Sequence, residues 1–215
     1  AEAKLVRSIA FYALLQLYAR PYTDGNGSKP GVPLRLTGIT SSGSNNIKRS
    51  TVAEVYTQII KDLNEAEVDL PLSYSGATAA DLNTTRAHRN TAIALKTRVY
   101  LSMGQYANVI TEGNKIVSAT APFQAATGVA NKLNPSINTT FTTYNTTESI
   151  LSMPFTGLDL PGTQNSLNSY YNPGPNGNGD FALNTTGNGI VASTSWGTGD
   201  ARRAFNITSS GQTYL

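Results

Sequence analysis

The 215-residue chain has no cysteine, one histidine and one tryptophan, and only 13% of its residues are charged. Without cysteine there is no disulfide, no thiol nucleophile and no thiolate metal site. One histidine leaves too little material for a transition-metal site or a serine-type catalytic triad. The charged fraction falls well below the globular average of roughly 25%, and Thr, Asn, Ser and Gly fill the deficit. A formal net charge of +3 and a pI near 9.1 raise nucleic acid as a partner. The Lys and Arg residues are scattered, however, and form no basic stripe interleaved with aromatics, so no nucleic-acid binding is expected. Long apolar runs are also missing. The longest, residues 9–15, is far short of a bilayer span, which needs ~20 residues.

What is present divides the chain into two materials, residues 1–119 and 120–215. The first reads as helices. AEAKLVRSIAFYALLQLYAR, residues 1–20, places Leu5, Ile9, Tyr12 and Leu15 on one face and Val6, Ala10, Leu14 and Leu17 on a second. A helix apolar over most of its circumference is expected to be covered on both faces, the second by another copy or by the chain's own loops. In STVAEVYTQIIKDLNEAEVDLP, Val52, Val55, Tyr56, Ile59, Leu63 and Ala66 recur at helical spacing. Thr51 with Glu54 fits a capping box, Lys61 and Glu65 stand four apart, and Pro71 stops the helix. This predicts a helix over 51–68.

HRNTAIALKTRVYLSM and QYANVITEGNKIVSAT predict helices over 90–103 and 105–118, with Gly104 alone between them. They must fold back as an antiparallel hairpin, and Gly104-Gln105-Tyr106 resembles the middle of a tetratricopeptide repeat. The intervening VPLRL suits a short extended segment. From residue 120 the composition is that of loops, with ESILSMPF, residues 148–155, the one convincing strand. The expected fold class is therefore mainly α, with tetratricopeptide-like antiparallel helical hairpins and a loop-rich region carrying a few short strands.

These stretches, in this order, resemble the SusD/RagB family of nutrient-binding outer-membrane lipoproteins from Bacteroidetes-type bacteria. The resemblance rests on the opening helix, GVPLRL, RSTVAEVYTQIIKDLNEAEVDLP, Arg86 with NTAIALKTRVYLSMGQYANVITEGNKIV, ESILSMPF, and Gly199-Asp200-Ala201-Arg202. Lys96 and Thr97 depart from it, standing where the family often has smaller apolar residues. The resemblance implies an internal segment of a surface-exposed lipoprotein of the outer membrane, attached by a lipid anchor outside these residues. It further implies non-catalytic binding of an oligosaccharide or other nutrient, delivered to a TonB-dependent SusC-type transporter, with no cofactor. A tetratricopeptide-like scaffold for protein–protein interaction is the alternative.

Arg7, Arg86 and Arg98 sit in or beside apolar helices and are expected to form ion pairs, with Glu2, Glu54 and Asp62 as partners. Asp200 with Arg202 reads as a structural pin. His88 reads as a surface residue near a helix start. Asp159 and Asp180 read as turn formers and not as a glycosidase pair. DGNGS at 24–28 lacks the closing Glu of a calcium loop. No catalytic set is found, and no metal site. Sugars offer flat C–H faces ringed by hydroxyls, so aromatic rings among amides suit them. Trp196, Tyr170, Tyr171, Phe181 and Asn172, with Asn168 and Asn178 nearby, are the candidate ligand contacts. The same rings would equally serve to anchor long loops to the helical core.

Overall fold

The computed structural model describes residues 1–43, 45–159, 162 and 166–214. They fall into two compact units, the first comprising residues 1–134 with 144–152 and the second 135–143 with 153–215.

The first unit is a layered set of helices, α1 (Glu2–Tyr18), α2 (Val52–Asp69), α3 (Ala79–Thr85), α4 (Arg89–Ser102) and α5 (Tyr106–Gly113). Each long helix packs on the next, α1 on α2, α2 on α4 and α4 on α5. The centre is α2, whose Val52, Val55, Ile59, Leu63 and Ala66 are wholly buried. The local reason is its capping box. Thr51 Oγ1 accepts from the Glu54 amide at 3.2 Å, and the Thr51 amide donates to Glu54 Oε2 at 2.7 Å. Leu5, Phe11 and Leu15 of α1 and Ala92 and Val99 of α4 close on it from either side.

A two-stranded antiparallel ladder, β1 (Pro30–Pro33) and β2 (Arg49–Thr51), leads into α2. Arg49 ties it to α1, donating to Gly31 O at 2.5 Å and to Tyr18 O at 3.0 Å. The α4–α5 hairpin turns at Gly104, whose φ is +72°. That region is open to glycine and costs a side chain.

The structure corrects the sequence reading in several places. The helix expected over 105–118 is α5, which ends at Gly113. Residues 79–85 form α3, which has no counterpart in the sequence expectation. Residues 148–155 form no strand. The Ser152 amide bonds to Thr84 O at 2.8 Å and Ile150 O meets the His88 ring, so this backbone is spent on the α3–α4 junction, not on a ladder. Lys61 does not pair with Glu65, which binds Lys4 of α1 at 2.7 Å. The chain's own loops do not cover the second face of α1, where Val6 is 59%, Leu14 39% and Leu17 75% exposed.

The second unit has little regular structure. It holds 3-10 turns at Ile137–Thr139, Ile190–Ala192 and Ala201–Phe205, a short helix α6 (Leu167–Tyr171), and a hairpin of β3 (Ile207–Ser209) with β4 (Gln212–Tyr214). Leu183 extends the hairpin by one bridge to Thr213.

Candidate functional site

Several charged side chains of the first unit hold its helices together. Arg7 grips Asp62 through two hydrogen bonds of 2.8 and 2.6 Å, and Gln58 donates a third at 2.9 Å. Arg86 binds Glu2 in the same forked manner at 2.8 and 2.6 Å, and this bond holds the Glu2 carboxyl below its ordinary range. Two of the three expected arginine pairs therefore form with expected partners. Arg98 is solvent-exposed, and Glu54 is taken by its cap.

His88 is not a surface residue. It is wholly buried at the start of α4, with Nε2 3.0 Å from Ile150 O, and burial pushes its pKa down. Lys96, also buried, pairs with Glu67 and with Glu112 at 2.9 Å, and Lys115 completes the group at 2.9 and 2.8 Å from the same two carboxylates. These four charges cancel one another and join α2, α4 and the segment around α5. Among the described residues no cluster of His, Asp and Glu offers a metal site. No nucleophile–base pair appears there either: His88 faces a carbonyl, and Asp62 and Asp200 each hold a guanidinium.

The aromatic candidates lie in the second unit, in two groups. Tyr170 and Tyr171 of α6 both contact Phe181, at centroid separations of 5.9 and 5.7 Å. The Phe181 amide bonds Tyr170 O at 3.0 Å, which fixes the ring over the helix. Tyr171 and Phe181 stay 43% and 56% exposed, so the group is a surface platform. Asn172 bonds Asn168 through main chain and side chain at 2.9 and 3.2 Å, terminating α6 beside it.

Trp196 belongs to a different group. Its ring lies under the Arg203 guanidinium, 4.4 Å from ring centroid to carbon. Arg203 also donates to Trp196 O at 2.5 Å and Gly197 O at 3.1 Å, locking the turn that presents the ring. One residue earlier, Arg202 grips Asp200 with bonds of 2.9, 3.1 and 2.5 Å, and Asp200 also caps the 3-10 turn by accepting from the Arg202 amide. The Arg202 guanidinium above all holds the Asp200 carboxyl well below the usual carboxylate range. The expected Asp200–Arg202 pin thus forms, and what it pins is the wall of a cavity.

That cavity measures about 310 Å³ and is lined by Ile137, Phe141, Ile190, Trp196, Arg202 and Phe205. Phe141 and Phe205 meet edge to face at 5.9 Å. Its size lies at the lower end of small-molecule sites, roughly 300–1,000 Å³. Of the five sequence candidates only Trp196 lines it. Phe141 and Phe205 escaped the sequence reading. The available signal was that Phe205 follows closely on the Asp200-Ala201-Arg202 element, and that Phe141 stands alone in a run of Thr and Asn.

A mainly α array of antiparallel hairpins of tetratricopeptide type, with short strands and an aromatic-bearing loop-rich unit, is the class of protein this fold defines. Residues 1–101 match a SusD-like family described as starch-binding and associating with the outer membrane. A SusD superfamily protein of Bacteroides fragilis is 33% identical, over 79% of this chain and 36% of its own, with a TM-score of 0.58. A SusD superfamily protein of Bacteroides thetaiotaomicron is 28% identical over 56% of this chain and 24% of its own, TM-score 0.48. A putative sugar binding protein of Bacteroides vulgatus is 31% identical over 53% and 23%, TM-score 0.43. No curated protein matches. The chain is a SusD/RagB-like protein, and it spans about a third of the length of the Bacteroides fragilis relative.

Proposed function

We propose that this chain belongs to a non-catalytic glycan-binding lipoprotein at the bacterial outer-membrane surface, where it passes captured oligosaccharide to a TonB-dependent SusC-type transporter. The observation that carries the reading is the Trp196-lined cavity, in a chain whose helical part matches a family described as starch-binding. A ring held rigid from one side by a guanidinium loses no freedom when a sugar stacks on it, so little of the contact energy goes into ordering the protein. Phe141 and Phe205 extend the apolar wall. Tyr171 and Phe181, with Asn172, form a separate surface platform for a longer chain. Binding without chemistry fits the side chains present: Asp62, Glu67, Glu112 and Asp200 are held in ion pairs and His88 is buried against a carbonyl.

Affinity electrophoresis of the chain against a panel of polysaccharides tests this. At least one should retard it, and Trp196→Ala should weaken that retention at least tenfold while leaving the circular dichroism spectrum unchanged. Base–aromatic stacking in other proteins, worth roughly 1–3 kcal/mol per contact, sets the scale for a lost ring contact. No retention by any polysaccharide would overturn the reading.

A further inference from the structure

The chain's net charge of +3 points toward acidic ligands, but that charge is not where the cavity is. Residues 135–143 and 153–215 contain no lysine, only Arg202 and Arg203 against Asp159, Asp180 and Asp200, and are net negative by one. The entire positive excess sits in the helical unit. We infer that the Trp196 cavity takes uncharged sugar units and excludes uronates and sulfated sugars. This rests on the glycan-binding reading and adds the charge class of the ligand to it.

Five of the six lining side chains are apolar, and the sixth, Arg202, is not a free cation. Its Nε and Nη2 both bind Asp200 as a side-on fork, which neutralises its charge and leaves only the Nη1 edge to meet another group. A ligand carboxylate entering the cavity would have to displace Asp200 or lie beside it, and either choice sets two anions against one cation. Asp200 does not escape by protonating, because its carboxyl is held far below the ordinary range. Arg203 offers no alternative. It is not among the lining residues, and its guanidinium is spent on the Trp196 ring and on two backbone carbonyls. An anion moved from water onto these walls therefore loses hydration and gains at most one edge of a guanidinium that Asp200 already neutralises.

A neutral pyranose meets no such penalty. Its C–H face suits the Trp196, Phe141 and Phe205 rings. The 3-10 turn that contributes Ile190 to the cavity borders, through Gly189 and Ala192, a second depression of about 390 Å³. That one carries Asn188, Ser193 and Thr194, neutral partners for hydroxyl groups.

The test measures affinity of the whole chain for laminarin, starch, xylan and mannan against polygalacturonate, alginate and chondroitin sulfate, reading only the part of each signal lost in Trp196→Ala. Trp196→Phe, which keeps a ring on the turn, should retain most of the affinity and guards against simple misfolding. The expected result is Trp196-dependent binding confined to a neutral polysaccharide, unchanged within twofold between 20 and 300 mM NaCl. Asp200→Asn, by freeing Arg202, should raise affinity for polygalacturonate at least threefold. Trp196-dependent, salt-sensitive binding of an acidic polysaccharide by the unmodified chain would overturn the inference and leave the glycan reading standing. Absence of Trp196-dependent binding to either class would overturn both.

Discussion

His88 shows how much a single residue can commit. Its Nε2 meets a carbonyl, so the neutral ring carries its proton there, and a second proton would have to sit on the buried Nδ1. The folded-state pKa is therefore depressed below the ordinary 6.5 by burial. The unfolded chain takes up the proton first as pH falls, so stability is fully present above about 6.5 and drains away below it. The slope is at most about 1.4 kcal/mol per pH unit for one proton. Glu2 and Glu67, whose pKa values are lowered from 4.5, lose their contribution only below that value. The only histidine thus governs the window from pH 6.5 to 5, and His88→Gln should flatten urea midpoints measured across it. A second residue-scale test concerns Asp62, which is 1% exposed and gripped by Arg7. Arg7→Ala should cost about 3 kcal/mol, because it leaves a buried carboxylate short of its counter-charge. The double variant with Asp62→Ala should cost less than the sum of the singles, measured by urea denaturation.

At the scale of elements, Gly104 makes the α4–α5 hairpin possible. A Cβ added there would meet only the Thr23 methyl at 3.5 Å, an ordinary contact, so space is not what excludes a side chain. The obstacle is the +72° φ. Gly104→Val should then cost about 1–2 kcal/mol, the left-handed penalty for an L-residue, and Gly104→Asn distinctly less, both read from denaturant midpoints. Elements whose signals are local were legible in the sequence. The Thr51–Glu54 capping box and Pro71 delimit α2 to within two residues of the expected 51–68. The segment 148–155 failed because a short apolar-rich run suits a strand only if a neighbour offers an edge, and the α3–α4 junction claimed its backbone first. The short α3 carries too few apolar residues to announce itself.

The whole molecule separates its tasks by charge. The helical unit holds the Lys and Arg excess and is laced with ion pairs, while the loop-rich unit is nearly uncharged and carries the candidate ligand-contacting rings. With no nucleophile–base set among the described residues, the purified chain should release no reducing sugar from starch, laminarin, xylan or arabinan over hours, by a reducing-end assay. Measurable release would show that a catalytic pair exists. The outer face of α1 gives a further test. Val6 and Leu17 are largely exposed and contribute little burial. The Val6→Ser, Leu17→Gln double variant should lower binding of the dye ANS several-fold while leaving the thermal midpoint within about 1–2 °C, since exposed substitutions change stability by within about 0.5 kcal/mol.

The sequence by itself determined the helical periodicities, the cap and stop of α2, the glycine turn, that Arg7 and Arg86 would form ion pairs, and the family likeness. Each of these depends on residue types at fixed short spacing, or on charges that apolar helices would force to pair. The tertiary structure alone decided that His88 is buried, that Lys96 is neutralised by Glu67 and Glu112, and that Trp196 parts from Tyr170, Tyr171 and Phe181 to join Phe141 and Phe205. Those outcomes turn on contacts between residues far apart in the chain. A loop-rich stretch of Thr, Asn and Gly has no periodicity from which such partners can be read. Burial there is set by which distant backbone closes over a side chain, and that is a property of the packed chain rather than of any window of its residues.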